Sequence, residues 1–334
     1  MTTPTASPGR SQPDLMERLR ARGLRVNNFV SLVVIFLIIC AVLSILSPYF
    51  LTLENFKNIG RTMPVVGIIA IGETLVLIAG GVDLSVGSVA ALSGVVTGLL
   101  WEVVGLPIGI AAAAGLASGA FIGLINGLLV TRLRINALIS TLATFSIVRG
   151  LAFVLTNAQM NQLTDPGFLF LGRGEVGIIP VPFILMLILY AIFIFILRRT
   201  PFGRDLYAIG GNPMAARLVG ISTRRNVLVV FVISGLLAGV GGLVQASQLA
   251  AGAPQAAVGL EFTVIAAVVL GGTSLSGGKG TLVGSFLGVI ILRTLDNGLI
   301  LTGVSAYFQQ VARGAVLILA VGLDQLRTKW SARR

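Results

Sequence analysis

The residues able to do chemistry in this chain are acids, hydroxyls and amides set among glycines. Glu73 and Asp83 stand in otherwise apolar sequence, and Ser85 and Ser88 follow Asp83 within GGVDLSVGS. A second glycine-rich segment, GGTSLSGGKGTLVGS at Gly271–Ser285, carries Ser274 and Ser276. Asn126 lies in a run of small residues with Gly119, Gly123 and Gly127. Such scattered donors and acceptors suit contact with a polar, polyhydroxylated solute. Glu73, Asp83, Ser85, Ser88, Asn126, Ser274 and Ser276 are therefore the candidates for lining a solute path. The competing account is tight turns and helix packing, since non-helical backbone at membrane depth survives only inside protein or beside water.

Other chemistries lack their parts. The chain has no histidine, the commonest general base and metal ligand, and one cysteine, Cys40, which leaves no disulfide or paired thiolate site within one chain. Gly277-Gly278-Lys279-Gly280 resembles a phosphate loop but fails its spacing. Thr273 occupies the position of the first glycine, and Gly280 replaces the required Ser or Thr. If ATP drives this protein, ATP and Mg bind another chain, and no cofactor or metal is expected here. An intramembrane enzyme would also need a base beside its nucleophile, and none is spaced for it.

These residues must be positioned by membrane helices. Of 334 residues, 55% are apolar and 11% charged, with mean hydropathy +0.98. A soluble chain carries roughly a quarter charged residues. Apolar runs long enough for a helix to cross a bilayer recur, without the short alternating segments of a barrel. The fold class is an all-α integral membrane protein of about ten transmembrane helices, over 29–46, 63–79, 84–101, 106–130, 137–156, 182–197, 227–249, 259–271, 282–300 and 306–323. The net charge of +12 then reports orientation in the membrane, not nucleic-acid binding. Residues 1–27 form a basic cytoplasmic tail, 28–325 a single transmembrane domain, and 326–334 a second cytoplasmic tail. The polar stretch 157–179 falls outside.

The longest basic interruption is 198–226, with Arg198, Arg199, Arg204, Arg217, Arg224 and Arg225 against Asp205. Arginine-rich short loops stay cytoplasmic. Within it Asn212 is placed to N-cap a helix with Pro213 at its first position, and Gly220 to stop it. A short helix held at the membrane face is a docking element for another protein; the plain alternative is a topogenic linker.

Gly80-Gly81-Val82-Asp83-Leu84-Ser85 and Gly271-Gly272-Thr273-Ser274-Leu275-Ser276 form an internal repeat. Both copies interrupt paired spans with an even number of helices between them, which predicts two halves running in the same sense. Asp83 and Ser274 are predicted to N-cap the following helices. Of the remaining charges, Arg149 should pair or face a cavity, Arg293 and Asp296 share a helix face and should pair with each other, and Arg313 needs a partner from elsewhere in the bundle.

GGVDLSVGS resembles the signature of permease subunits of bacterial ribose-type sugar importers of the ATP-binding-cassette class. GGNPMAARLVGIS, at 210–222, is similar to their ATPase-coupling loop, and Gly271–Ser285 to their other glycine-rich segment. The three occur in family order, and the resemblance spans 28–325. It implies a permease dimer, expected as a homodimer, in the bacterial cytoplasmic (inner) membrane, where the basic clusters place both termini on the cytoplasmic side. It also implies a cassette ATPase below and a periplasmic or lipid-anchored solute-binding protein that hands over a monosaccharide. By that resemblance Gly211, Asn212, Pro213, Ala215, Ala216, Arg217 and Gly220 form the docking element. The alternative is a self-contained carrier driven by an ion gradient, with Glu73, Asp83 or Arg313 as its relay.

Overall fold

Lipid offers no partners to backbone N–H and C=O groups, so apolar runs of this length must close their hydrogen bonds within helices. The computed structural model, which describes residues 28–305, 307–311, 314, 315, 318 and 322, is built accordingly. Its helices are α1 (Asn28–Leu46), α2 (Leu53–Ile78), α3 (Val86–Glu102), α4 (Ile108–Thr131), α5 (Ala137–Thr156), α6 (Pro166–Arg173), α7 (Val181–Arg199), α8 (Pro201–Gly211), α9 (Pro213–Leu218), α10 (Thr223–Leu249), α11 (Leu260–Leu270) and α12 (Leu282–Leu301). Seven of them (α1, α2, α4, α5, α7, α10 and α12) are long and apolar enough to cross a membrane, and α3 and α11 are shorter apolar helices. These correspond to nine of the ten expected spans. The tenth, 306–323, falls largely outside the described residues, as do Arg313 and both tails.

Helix α2 is the axis of the bundle. Met63–Ile78 is buried throughout, whereas α1 lies at the periphery and exposes most of its side chains. Helix α2 starts at Leu53, ten residues before the expected span, because Thr52 caps it by accepting from the Asn55 amide and Pro64 is tolerated within it. Helices α4 and α10 cross at backbone contact distance. A Cβ at Gly123 would strike the Phe231 carbonyl oxygen, which is why small residues line this crossing.

One end of the bundle gathers Arg132, Arg134 and the arginines of 198–226; the other holds Glu102, Glu175 and the short strands. There β1 (Asn161–Gln162) pairs antiparallel with β4 (Ala251–Gly252), and β2 (Glu175–Val176) with β3 (Ile179–Pro180). The stretch 157–179 is therefore more than a polar connection. Its Asp165-Pro166 start caps α6, and Ser247 Oγ joins α6 to α10 by accepting from the Gly172 amide at 2.8 Å and donating to the Phe168 carbonyl at 2.6 Å.

Helix α11 has 11 residues, about 16 Å of rise, roughly half the apolar thickness of a bilayer. The Glu261 carboxylate near its start packs against Gly87 at the start of α3. These two short helices thus begin side by side inside the bundle and lead to opposite ends. In both glycine repeats the helix before the pair ends at the basic end and the helix after it leads away. The two copies run in the same sense, as the sequence predicts.

Candidate functional site

The basic end is organised by two capped helices. Thr200 accepts from the Gly203 amide with Pro201 at the first position of α8. Asn212 Oδ1 accepts from the amides of Met214 and Ala215, each at 3.0 Å, with Pro213 opening α9. Gly220, at φ +84°, ends α9; its amide donates to the Arg217 carbonyl and that of Ile221 to the Ala216 carbonyl, both at 3.0 Å. The predicted cap, start and stop of this helix are all in place. Ala216 is buried beneath it, while Met214, Leu218 and Val219 are 65%, 83% and 76% exposed. The outward apolar face consists of those three. Gly211 and Ala215 are exposed beside it.

Helix α8 was not foreseen, although Thr-Pro followed by Phe202, Leu206 and Ile209 carries the same cap chemistry and helical spacing. It seats the loop on both glycine repeats. Tyr207 Oη donates to the Gly280 carbonyl at 2.8 Å, and burial pushes its phenol above the ordinary tyrosine value, opposed by the Arg198 charge. The Gly278 amide donates to the Ile78 carbonyl at 2.9 Å. An added Cβ at Gly210 would collide with that same carbonyl oxygen and with the Gly278 amide nitrogen. Three segments therefore meet at one point that only glycine fits.

Deeper in the bundle, Asp83 centres a buried polar network. Its Oδ1 accepts from the Ser85 amide at 3.0 Å and the Ser85 hydroxyl at 2.6 Å; its Oδ2 accepts from Ser234 Oγ of α10 at 2.9 Å. The Asp83 amide donates to Glu73 Oε1 of α2 at 3.3 Å. Asn126 Nδ2 of α4 donates to Ser85 Oγ at 2.9 Å, and Thr144 Oγ1 of α5 donates to Asn126 Oδ1 at 2.7 Å. Ser88 Oγ closes on the Ser85 carbonyl at 2.8 Å. Side chains of α2, α3, α4, α5 and α10 thus converge on the segment between Gly81 and Val86. Five of the seven path candidates belong to this cluster: Glu73, Asp83, Ser85, Ser88 and Asn126.

Ser274 and Ser276 do not join it. They form a turn at the basic end, where the Ser276 amide donates to Ser274 Oγ at 3.2 Å; Ser274 is buried and Ser276 exposed. Neither Asp83 nor Ser274 caps a helix. Ser85 precedes α3 without a side-chain cap bond, and Thr281 caps α12 by accepting from the Gly284 amide at 3.0 Å. The chain rises for two residues after Asp83 before its helix starts, so the carboxylate is spent on the turn. Arg293 pairs with Asp296 at 3.2 Å, as expected, and also donates to the Thr62 carbonyl. Arg149 has neutral partners, the carbonyls of Pro254 and Ala256, both at 2.7 Å.

A bundle of full-length and interrupted spans, with a polar cluster in its interior and a capped apolar helix presented on an arginine-rich face, defines a membrane permease. Residues 55–321 match the family described as Branched-chain amino acid transport system / permease component, and the chain belongs to that family. It is 41% identical over 294 residues to the ribose import permease protein RbsC of Escherichia coli K12, covering 86% of this chain and 91% of that protein. It is 42% identical to RbsC of Bacillus subtilis, covering 87% of this chain and 91% of that one. The L-arabinose ABC transporter permease protein AraH of Azospirillum brasilense is 40% identical, covering 92% of this chain and 91% of its own. No solved structure matches the chain. The chain is a transport subunit of the ATP-binding-cassette import class, and the ion-gradient carrier finds no counterpart among these relatives.

Proposed function

We propose that this chain forms the translocation path of a monosaccharide importer, for a ribose-like or related sugar. Two copies associate in the bacterial inner membrane, with both termini cytoplasmic. A cassette ATPase, holding ATP and Mg, docks at the arginine-rich end, and a solute-binding protein delivers the sugar at the opposite end. Relatives named for ribose and arabinose support the sugar class. The path candidates stay Glu73, Asp83, Ser85, Ser88, Asn126, Ser274 and Ser276; the docking element comprises Gly211, Asn212, Pro213, Ala215, Ala216, Arg217 and Gly220.

The observation that carries this reading is the pairing of α9 with α8. Helix α9 offers an exposed apolar face, and α8 is braced against both glycine repeats, so a push on α9 bears on the segments that hold the buried cluster. A topogenic linker needs neither feature. The test is co-purification of the coexpressed cassette ATPase with a Met214→Glu, Leu218→Glu double variant. Both side chains are exposed, so membrane insertion should be unchanged while ATPase recovery falls at least about tenfold, as for loss of an apolar anchor. Full recovery of the ATPase with the double variant rules out docking on α9.

A further inference from the structure

The basic end holds a cavity of about 450 Å³ between the α4–α5 junction, α9 and the start of α10. Among the described residues its lining includes Arg134, Arg217 and Arg224 and no Asp or Glu. Among the described residues none of these guanidinium groups lies within ion-pair distance of a carboxylate. Arg217 is fixed by Nε donating to Thr223 Oγ1 at 3.1 Å, and Thr223 also lines the cavity. Arg134 sits at φ +57°, in the left-handed region that costs a residue with a Cβ about 1 kcal/mol, where glycine would be free of strain. The turn thus holds an arginine at the rim in an unfavourable backbone conformation. Behind the rim the walls are apolar, formed by Val76, Val130, Ile209, Val230 and Phe231.

Guanidinium groups match phosphate oxygens in a planar fork, and uncompensated arginines above an apolar wall favour an anion that carries an apolar tail. The cavity also lies between spanning helices at the end where basic side chains collect, the setting in which anionic headgroups are held. We infer that it binds a phosphate-bearing anion, the headgroup of an anionic phospholipid with the start of its chain against the apolar wall. Pro213 and Arg217 line one side of the cavity and Gly80 and Gly81 another. An occupant therefore bridges α9 and the first glycine repeat, and binding there ties lipid composition to the position of α9.

The test uses the full chain purified in neutral detergent, with dioleoylphosphatidylglycerol, dioleoylphosphatidylcholine and inorganic phosphate as separate probes, read by native mass spectrometry and by the unfolding midpoint. Phosphatidylglycerol is expected to be retained over phosphatidylcholine and to raise the midpoint. The Arg134→Gln, Arg224→Gln double variant, which alters only exposed side chains, is expected to weaken that binding roughly 30-fold, the effect of two cationic contacts near a membrane surface. An Arg198→Gln, Arg199→Gln variant loses the same charge outside the cavity and is expected to bind as the parent does. Equal retention of the two lipids, or equal loss in the two double variants, overturns the site. Binding of inorganic phosphate that depends on Arg134 and Arg224, without preference for phosphatidylglycerol, overturns the lipid assignment in favour of a soluble phosphate.

Discussion

The Gly278 amide and the Ile78 carbonyl, 2.9 Å apart, join the turn after the second glycine pair to the end of the helix before the first. The repeat is therefore more than two similar segments: its copies touch. Helix α8 sits on the junction through Tyr207 and Gly210, and α9 follows α8 after the single residue Asn212. From Ile78 the chain passes through Gly80 and Gly81 to Asp83. The distance in sequence from α9 to the buried network is long, but the chain of direct contacts is short.

Gly210 is the most sensitive point of that chain. A Gly210→Ala methyl meets backbone, the Ile78 carbonyl oxygen and the Gly278 amide, and neither can rotate away as a side chain would. Overpacking of this kind costs about 1–3 kcal/mol. The expected outcome is a lower unfolding midpoint and reduced sugar uptake in reconstituted vesicles, with ATPase co-purification retained because α9 is untouched. Normal uptake by Gly210→Ala would show that the junction does not carry force. At Gly211, where a Cβ meets open space, the same substitution is expected to leave the unfolding midpoint unchanged.

Helix spans and the α9 cap were legible because their signals are local. Length and apolarity define a span, and Asn212-Pro213 with Gly220 defines a helix start and stop within nine residues. Helix α8 was missed although Thr200-Pro201 is the same kind of start, since its apolar face of Leu206 and Ile209 is short. Ser234 and Thr144 were not legible at all. A lone hydroxyl in an apolar helix usually bonds its own backbone, and only the fold brings Ser234 to Asp83 across 151 positions. The sequence around Asp83 predicts a helix cap, whereas the carboxylate closes the turn onto Ser85 before α3 begins.

Asp83 holds three donors, so Asp83→Ala leaves the Ser85 amide and the hydroxyls of Ser85 and Ser234 short of an acceptor inside the bundle. Each buried group left so costs about 1–3 kcal/mol. Asp83→Ala is expected to abolish uptake and lower the unfolding midpoint, with Asp83→Asn milder because one oxygen remains. Asp296→Asn, which removes charge from a pair near the other end of the bundle, is expected to leave uptake largely intact. In a double-mutant cycle with Ser234→Ala, Asp83 and Ser234 should couple by about 1 kcal/mol. Strict additivity would mean that the hydrogen bond between them adds nothing.

At the opposite end, Lys57 Nζ donates to Glu175 Oε2 at 3.0 Å and Arg61 donates to Oε1, tying β2 to the first turns of α2. These hydrogen bonds, Lys57 first and then Arg61, hold the Glu175 carboxyl below its ordinary value. A carboxyl with a depressed folded pKa contributes stability above its unfolded pKa, about 4.3, and loses it as pH falls through the lower folded value. Glu175→Gln should therefore unfold at lower temperature than the parent at neutral pH, and the two should converge on acidification below about pH 4. The difference should be modest and should shrink with added salt, since the cluster is partly exposed. A gap that persists unchanged into acid, or that salt does not touch, would assign the stabilisation to packing of β2 and not to the Glu175 charge.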